Sequence, residues 1–256
     1  MNKERILILG GNGFLGSYFK RLYPEAIAPT GFDIICAEDI LDRWSPDIVI
    51  NCAGKTGRPN VDWCEDNKVE TMHSNVTGAL MLAEECLARK VYFVNIGSGC
   101  IYDGYLKDYT EEDKPNFFGS LYSKTKAAAD IILGSLPVLN LRLRMPFDGT
   151  LNPRNLIVKL TSYSKVLTAP NSMTYIPNFM YAADKLIGSR WVGTFNIVNP
   201  GALSPYDIMV EYKKNIDPSH CFEPLDISEL STVARAARSN CVLSGEKLKN
   251  LGISHA

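Results

Sequence analysis

Four side chains and a cluster of glycines stand out for the chemistry their types and spacing could do. Tyr122 and Lys126 form Y-x-x-x-K, and on a helix residues four apart share a face. An ammonium beside a phenol lowers the phenol pKa from about 10, so the pair is expected to exchange a proton near neutral pH. Ser98 follows the apolar run 91–96, and its hydroxyl could polarise a carbonyl. Cys100 lies two residues further on. A thiol titrates near about 8.5, and a nearby cation would make it a base. Near the N-terminus, Gly10-Gly-Asn-Gly13-Phe14-Leu15-Gly16 satisfies both G-x-G-x-x-G and G-x-x-G-x-x-G. Such a turn lets the backbone N–H groups that open a helix approach a pyrophosphate closely.

These residues need a scaffold that delivers them to one edge. Apolar runs at 5–9, 47–51, 91–96 and 138–143 read as buried strands, with a further short one expected near 25–29. Helical spacing covers 14–23, 69–89 and 120–133, between and after the strands. Alternation of this kind predicts an α/β protein: a Rossmann-type doubly wound parallel sheet, with Ser98 at a carboxyl end where such sheets bind ligands. After Pro146, Gly, Pro and Asn become frequent, and the α/β pattern returns at the strand 193–198 and the helix 206–212. The expected division is a dinucleotide-binding Rossmann domain over 1–146 and a smaller C-terminal substrate lobe over 147–256 that returns to the main sheet. A substrate site would lie in the cleft between them.

Composition narrows the classes of function. In 256 residues, Lys and Arg total 27 against 28 Asp and Glu, a formal charge of −1, which gives no footprint for nucleic acid or an anionic membrane. The apolar runs are far too short to span a bilayer. The charged start Met1–Arg5 enters a short strand directly, without the apolar stretch and cleavage site of a leader. Seven cysteines at wide spacings, with no C-x-x-C, and histidines only at 73, 220 and 255 argue against a disulfide scaffold or a metal site and fit a reducing cytoplasm. No carboxylate closes the expected strand 25–29, and Asp33 comes late for a ribose 2′-hydroxyl. The cofactor reading therefore favours NADP(H) and leaves NAD(H) open.

The glycine turn, Ser98 and the Tyr122–Lys126 pair together resemble the extended short-chain dehydrogenase/reductase family. Asn51-Cys52-Ala53-Gly54 is similar to that family's N-x-A-G segment beside the adenine side of the cofactor. Asp33-Ile34 resembles its Asp-apolar pair near the adenine, and Asn75-Val-Thr-Gly78 its helix motif supporting the active site. The resemblance implies that Lys126 binds the nicotinamide ribose and that Asn75 anchors the helix, or a water, behind Lys126.

A narrower resemblance is carried by Thr56-Gly-Arg-Pro-Asn-Val-Asp-Trp-Cys64, Gly97-Ser-Gly-Cys-Ile-Tyr102, Gly119-Ser-Leu-Tyr-Ser-Lys-Thr-Lys126, Arg142-Leu-Arg-Met-Pro146 and Asn152-Pro-Arg-Asn155. Together they resemble the plant-type nucleotide-rhamnose synthases, related to dTDP-4-dehydrorhamnose reductase. The resemblance implies 3,5-epimerisation and NADPH-dependent 4-reduction of a UDP- or dTDP-4-keto-6-deoxyglucose. A 4-keto group acidifies the protons at C3 and C5, and inverting those centres needs a base and an acid. Cys100 is the implied base and Lys159 the implied partner acid. Thr56, Arg58, Asn60, Arg154, Asn155 and Arg238 are candidates to grip the sugar and diphosphate, arginine through its planar donor fork. A homodimer through helices near 69–89 and 120–133 is also implied. Two other readings stay open: a 4-reductase acting only on an already epimerised sugar, and a non-catalytic NADP-binding subunit resembling the accessory subunit of methionine adenosyltransferase.

Overall fold

The computed structural model describes residues 4–253; residues 1–3 of the charged start and His255 lie outside the described part. In chain order the first half comprises β1 (Ile6–Leu9), α1 (Phe14–Leu22), α2 (Ala37–Trp44), β2 (Ile48–Asn51), α3 (Asp62–Asp66), α4 (Lys68–Met72), α5 (Gly78–Ala88), β3 (Tyr92–Ser98), β4 (Gly104–Tyr109), α6 (Leu121–Leu133) and β5 (Leu139–Leu143). The second half adds β6 (Pro146–Phe147), α7 (Leu156–Leu160), β7 (Lys165–Leu167), β8 (Thr174–Tyr175), α8 (Ile176–Gly188), β9 (Gly193–Asn196), α9 (Pro205–Asn215), β10 (Glu223–Leu225), β11 (Cys241–Leu243) and α10 (Glu246–Asn250).

Strands β1, β2, β3, β5 and β9 form one parallel sheet in that spatial order. Strand residues alternate between its two faces. Ile8, Ile48, Ile50, Val94 and Ile96 pack on one face with Phe19 of α1 and Phe179 of α8. Leu7, Leu9, Val49 and Phe93 pack on the other with Ile40 of α2, Leu82 of α5 and Leu133 of α6. Burial on both faces explains why these strands read as continuous apolar runs.

The expected strand at 25–29 contracts to a single parallel bridge, Leu7 to Ile27, on the free side of β1. Chain connections thus leave β1 on one side toward Ile27 and return to β2 on the other. That reversal opens a crevice at the carboxyl ends of β1 and β2. The helix expected over 69–89 is interrupted: α4 and α5 are joined by a π-turn, His73–Thr77. The remaining strand pairs, β4 with β11, β7 with β10 and β6 with β8, are small and lie outside the main sheet.

Candidate active site

Glycine is required in the turn after β1 for space as well as conformation. Gly10 has φ +74, and a Cβ there would stand 2.6 Å from the Ala53 nitrogen. A Cβ on Gly16 would lie 2.2 Å from the Gly10 carbonyl oxygen. The Gly13 N–H closes the turn on that oxygen at 2.9 Å. Helix α1 begins after Gly13 with no side-chain cap, so its first N–H groups, at Phe14, Leu15 and Gly16, remain free for an anion. The side chains of Phe14 and Leu15 themselves lean on the core. A cradle that a Cβ would fill, opening at the sheet's crevice, fits a dinucleotide pyrophosphate.

Around that crevice, Cys52 is half-buried and its thiol is pushed up by burial. Ile34 is buried against Gly78, where a Cβ would come within 2.3 Å of it. Asp33 is exposed; its carboxylate accepts from the Ile35 N–H and from His73 at 2.9 Å. Those bonds hold its pKa below the usual carboxylate range. Asn75, inside the π-turn, accepts from the Lys55 N–H at 2.8 Å and donates to the Lys55 carbonyl at 2.9 Å and to Thr125 Oγ1 at 3.2 Å. It therefore ties the loop after β2 to α6, and the extra residue of a π-turn is what aims it there. A Cβ on Gly54 would face Asn75 Oδ1 at 3.2 Å and the Lys126 ammonium at 3.9 Å.

Helix α6 presents Tyr122 and Lys126 toward the end of β3. Ser120 caps it by accepting the Ser123 N–H at 3.1 Å. The Tyr122 hydroxyl donates to Ser98 Oγ at 3.3 Å, and the same oxygen accepts the Cys100 N–H at 3.1 Å. Lys126 donates to the Ile96 carbonyl at 3.1 Å. One expectation from the sequence is corrected here. Tyr122 is not lowered: burial, and then Cys100, raise it above the ordinary phenol range, while Ser98 and Arg144 oppose the rise. The ammonium is the group that yields, since burial pushes Lys126 down to about 8. Desolvation outweighs the attraction because Lys126 is turned to a backbone carbonyl.

Cys100 and Tyr122 share a cavity of about 410 Å³ with Asn60, Arg144, Lys159 and Arg238. Lys159, on the one-and-a-half-turn helix α7, is half-buried, and burial followed by repulsion from Arg154 lowers its pKa. Arg154 is itself lowered by burial and by the charge of Arg58. It donates to Thr56 Oγ1 and to the Gly57 carbonyl. Arg58, Arg154 and Lys159 are thus neighbouring cations, with no ion pair to any of them among the described residues. Such a group fits an anionic ligand. Arg238 differs, because it is bound to Asp62 at 3.0 Å.

Asn155 is a correction. Its amide donates to the Asp148 carbonyl and Oδ1 and to the Thr150 carbonyl, and its Oδ1 accepts the Ile157 N–H. It is 1% exposed. Its Oδ1 caps α7 and its amide is spent on the loop before that helix, so it holds the helix that carries Lys159 and does not line the cavity. Arg144, to which no motif in the sequence gives a role, also lines the cavity. Its signal was available in two arginines, Arg142 and Arg144, spaced on one face of an otherwise apolar run. The described residues contain no cluster that could hold a metal ion and no helix long and apolar enough to cross a membrane.

A parallel sheet with a glycine turn at its crevice, and a Ser–Tyr–Lys group formed by the end of β3 and helix α6, defines an extended short-chain dehydrogenase/reductase enzyme, an oxidoreductase built around a nicotinamide dinucleotide. Residues 4–134 match the family described as RmlD substrate binding domain, and the chain belongs to that family. An Arabidopsis thaliana relative, a bifunctional dTDP-4-dehydrorhamnose 3,5-epimerase/reductase, is 42% identical over 218 residues, covering 82% of this chain and 72% of its own. A trifunctional Arabidopsis dehydratase/epimerase/reductase is 42% identical over 95% of this chain, which spans only 39% of that protein's length. The crystal structure of the L780 UDP-rhamnose synthase of Acanthamoeba polyphaga mimivirus superposes with a TM-score of 0.90 at 31% identity, covering 98% of this chain and 94% of the other. More distant structures of the same fold hold NADP or NAD.

Proposed function

We propose that the chain converts a nucleotide-linked 4-keto-6-deoxyglucose to a nucleotide-β-L-rhamnose, acting as both 3,5-epimerase and NADPH-dependent 4-reductase. The observation that carries this reading is the single cavity shared by Cys100 and Tyr122 on one wall and Lys159 from α7. A reductase alone needs no thiol and no second proton donor there. The names of the Arabidopsis and mimivirus relatives support the same substrate class.

In this reading Arg58 and Arg154 bind the diphosphate, with Thr56 orienting Arg154 and Asn60 lining the sugar pocket. Cys100 removes the proton at C3 or C5. Ser98 and Tyr122 donate to the 4-oxygen, where negative charge develops. Lys159 returns a proton, and burial makes its ammonium a readier donor than a free lysine. Bound NADPH supplies the hydride equivalent to C4. Tyr122, held in its protonated form by burial, supplies the proton that the new hydroxyl requires. Lys126 holds the nicotinamide ribose, and Asn75 fixes the loop facing it. The residues after Pro146 supply the substrate lobe. Exposed apolar side chains on α4 and α6, Val69, Met72 and Ile131, support a homodimer through these helices.

The test supplies un-epimerised UDP- or dTDP-4-keto-6-deoxyglucose as sole substrate with NADPH in deuterated water. NMR of the product should show deuterium at C3 and C5 and the β-L-rhamno configuration, and Cys100→Ala should abolish uptake while binding NADPH normally. NADPH consumption without deuterium would reduce the reading to a 4-reductase. No turnover with either sugar would favour a non-catalytic dinucleotide-binding subunit.

A further inference from the structure

The wall beside Cys100 holds a charge that the mechanism above does not use. Arg144 is 1% exposed and lines the same cavity. Its guanidinium donates to the Gly99 carbonyl at 3.1 Å, to Ser239 Oγ at 2.8 Å, to the Ser239 carbonyl at 2.5 Å and to Asn171 Oδ1. Every one of these acceptors is neutral. Its Nε is buried without a partner. Two residues earlier, Arg142 is equally buried but rests on Asp130 at 2.6 Å. The fold therefore pairs one buried guanidinium and leaves the other uncompensated, which is costly unless negative charge arises nearby.

The bond to Gly99 places this guanidinium beside the backbone of Cys100. The peptide joining Gly99 to Cys100 is held at both ends, its carbonyl by Arg144 and its N–H by Ser98 Oγ. Gly99 packs closely on β11, where a Cβ would stand 2.4 Å from the tip of the Leu243 side chain. Met145, the next residue after Arg144, takes a left-handed φ of 46°, a strained conformation for a non-glycine residue. Cys100 lines the cavity together with Tyr122 of α6, Lys159 of α7, Arg238 and Arg144. Lys126, behind this wall on α6, gives up its charge near pH 8. A guanidinium keeps its charge throughout the working range.

We propose that Arg144 is the positioning residue for Cys100: its permanent charge favours the thiolate, and its grip on the Gly99 carbonyl aims the sulfur into the cavity. This rests on Cys100 being the epimerisation base, and the experiment separates the two claims.

Alkylation of the full-length protein by iodoacetamide is followed peptide by peptide across the pH range, with exposed Cys36 and Cys221 as internal references. Arg144→Gln keeps a donor for the Gly99 carbonyl without charge, Arg144→Met removes both, and Arg144→Lys restores the charge. In the Gln and Met variants Cys100 alkylation at neutral pH should fall about tenfold, with its pH profile displaced upward, and Lys should recover most of the loss. Ser239→Ala, which leaves the charge in place, should leave the profile unchanged. Equal Cys100 rates in the wild type and Arg144→Gln overturn the proposal, as does a displacement in Ser239→Ala as large as that in Arg144→Met. If the neutral variants do not fold, Lys126→Met decides: a Cys100 rate within about twofold of wild type supports Arg144, and a tenfold fall assigns the charge to Lys126. Deuterium uptake by the wild type is scored separately. Its absence removes Cys100 as the sugar's base while the alkylation profiles still decide for or against Arg144.

Discussion

Burial drives the proton affinities of Tyr122 and Lys126 apart, and each displacement has a measurable consequence. A neutral phenol at the 4-oxygen is the donor a reduction needs. Tyr122→Phe should therefore lower NADPH oxidation by about a hundredfold or more, the usual loss when a general acid is removed, while deuterium exchange into the ketosugar persists. Lys126 behaves in the opposite sense. Its folded value of about 8 lies below the ordinary 10.5, so the folded protein releases this proton first. The cost of burying the charge is fully present below pH 8 and is relieved as pH rises toward 10.5. Measured by denaturant unfolding without added dinucleotide, Lys126→Met should gain on the wild type at neutral pH, by on the order of 1 kcal/mol for a half-buried amine. That advantage should shrink on approaching pH 10.5.

At the scale of elements, the π-turn between α4 and α5 carries more than its length suggests. Asn75 satisfies both the N–H and the carbonyl of Lys55 and reaches Thr125 on α6. Asn75→Ala leaves those backbone groups without their partner, and each buried unpaired group costs about 1–3 kcal/mol. Urea unfolding should show a loss of about 2 kcal/mol or more, and fluorescence titration should show weaker NADPH binding, because the loop with Ala53 and Gly54 is no longer fixed. The helix itself was legible in its apolar spacing, but the extra residue of the π-turn leaves no trace in that spacing. The main strands were legible because both of their faces are buried. The strand expected at 25–29 was not, because one bridge to β1 suffices where only one neighbour exists. Pairs such as β6 with β8, two residues each, are set by tertiary contact and carry no period to read. Within the site, Y-x-x-x-K and the glycine turn announced themselves by spacing. Asn155 misled because an arginine-flanked asparagine looks the same whether it caps a helix or binds a ligand.

Over the whole molecule, two polar connections tie distant parts of the chain together. One is a ladder on the sheet: Asn51 donates to Asn95, Asn95 to Asn140, and Asn140 to Asp130, which also receives Arg142. At one end Asn51 accepts the Ala53 N–H beside the glycine turn. The other is a clamp on α3, where Asp62 accepts Arg238 at 3.0 Å and the N–H groups of Ala236 and Arg235. This clamp draws the segment before β11 over the cavity, whose lining includes Ala237, Arg238 and Ser239. Burial would raise the Asp62 carboxyl, but Arg238 and the two N–H donors prevail and hold it below its ordinary 3.8. The clamp is therefore fully formed above that value and is lost only as pH falls through the lower folded one. At neutral pH, Asp62→Asn should keep the shape and remove the charge, freeing the segment and Arg238. The ladder is untouched, so NADPH affinity should stay at the wild-type value. KM for the nucleotide ketosugar should rise about tenfold, with kcat changed far less, since the loss falls on binding in the ground state and transition state alike. Equal KM values in the two proteins would mean that the segment closes over the cavity without Asp62.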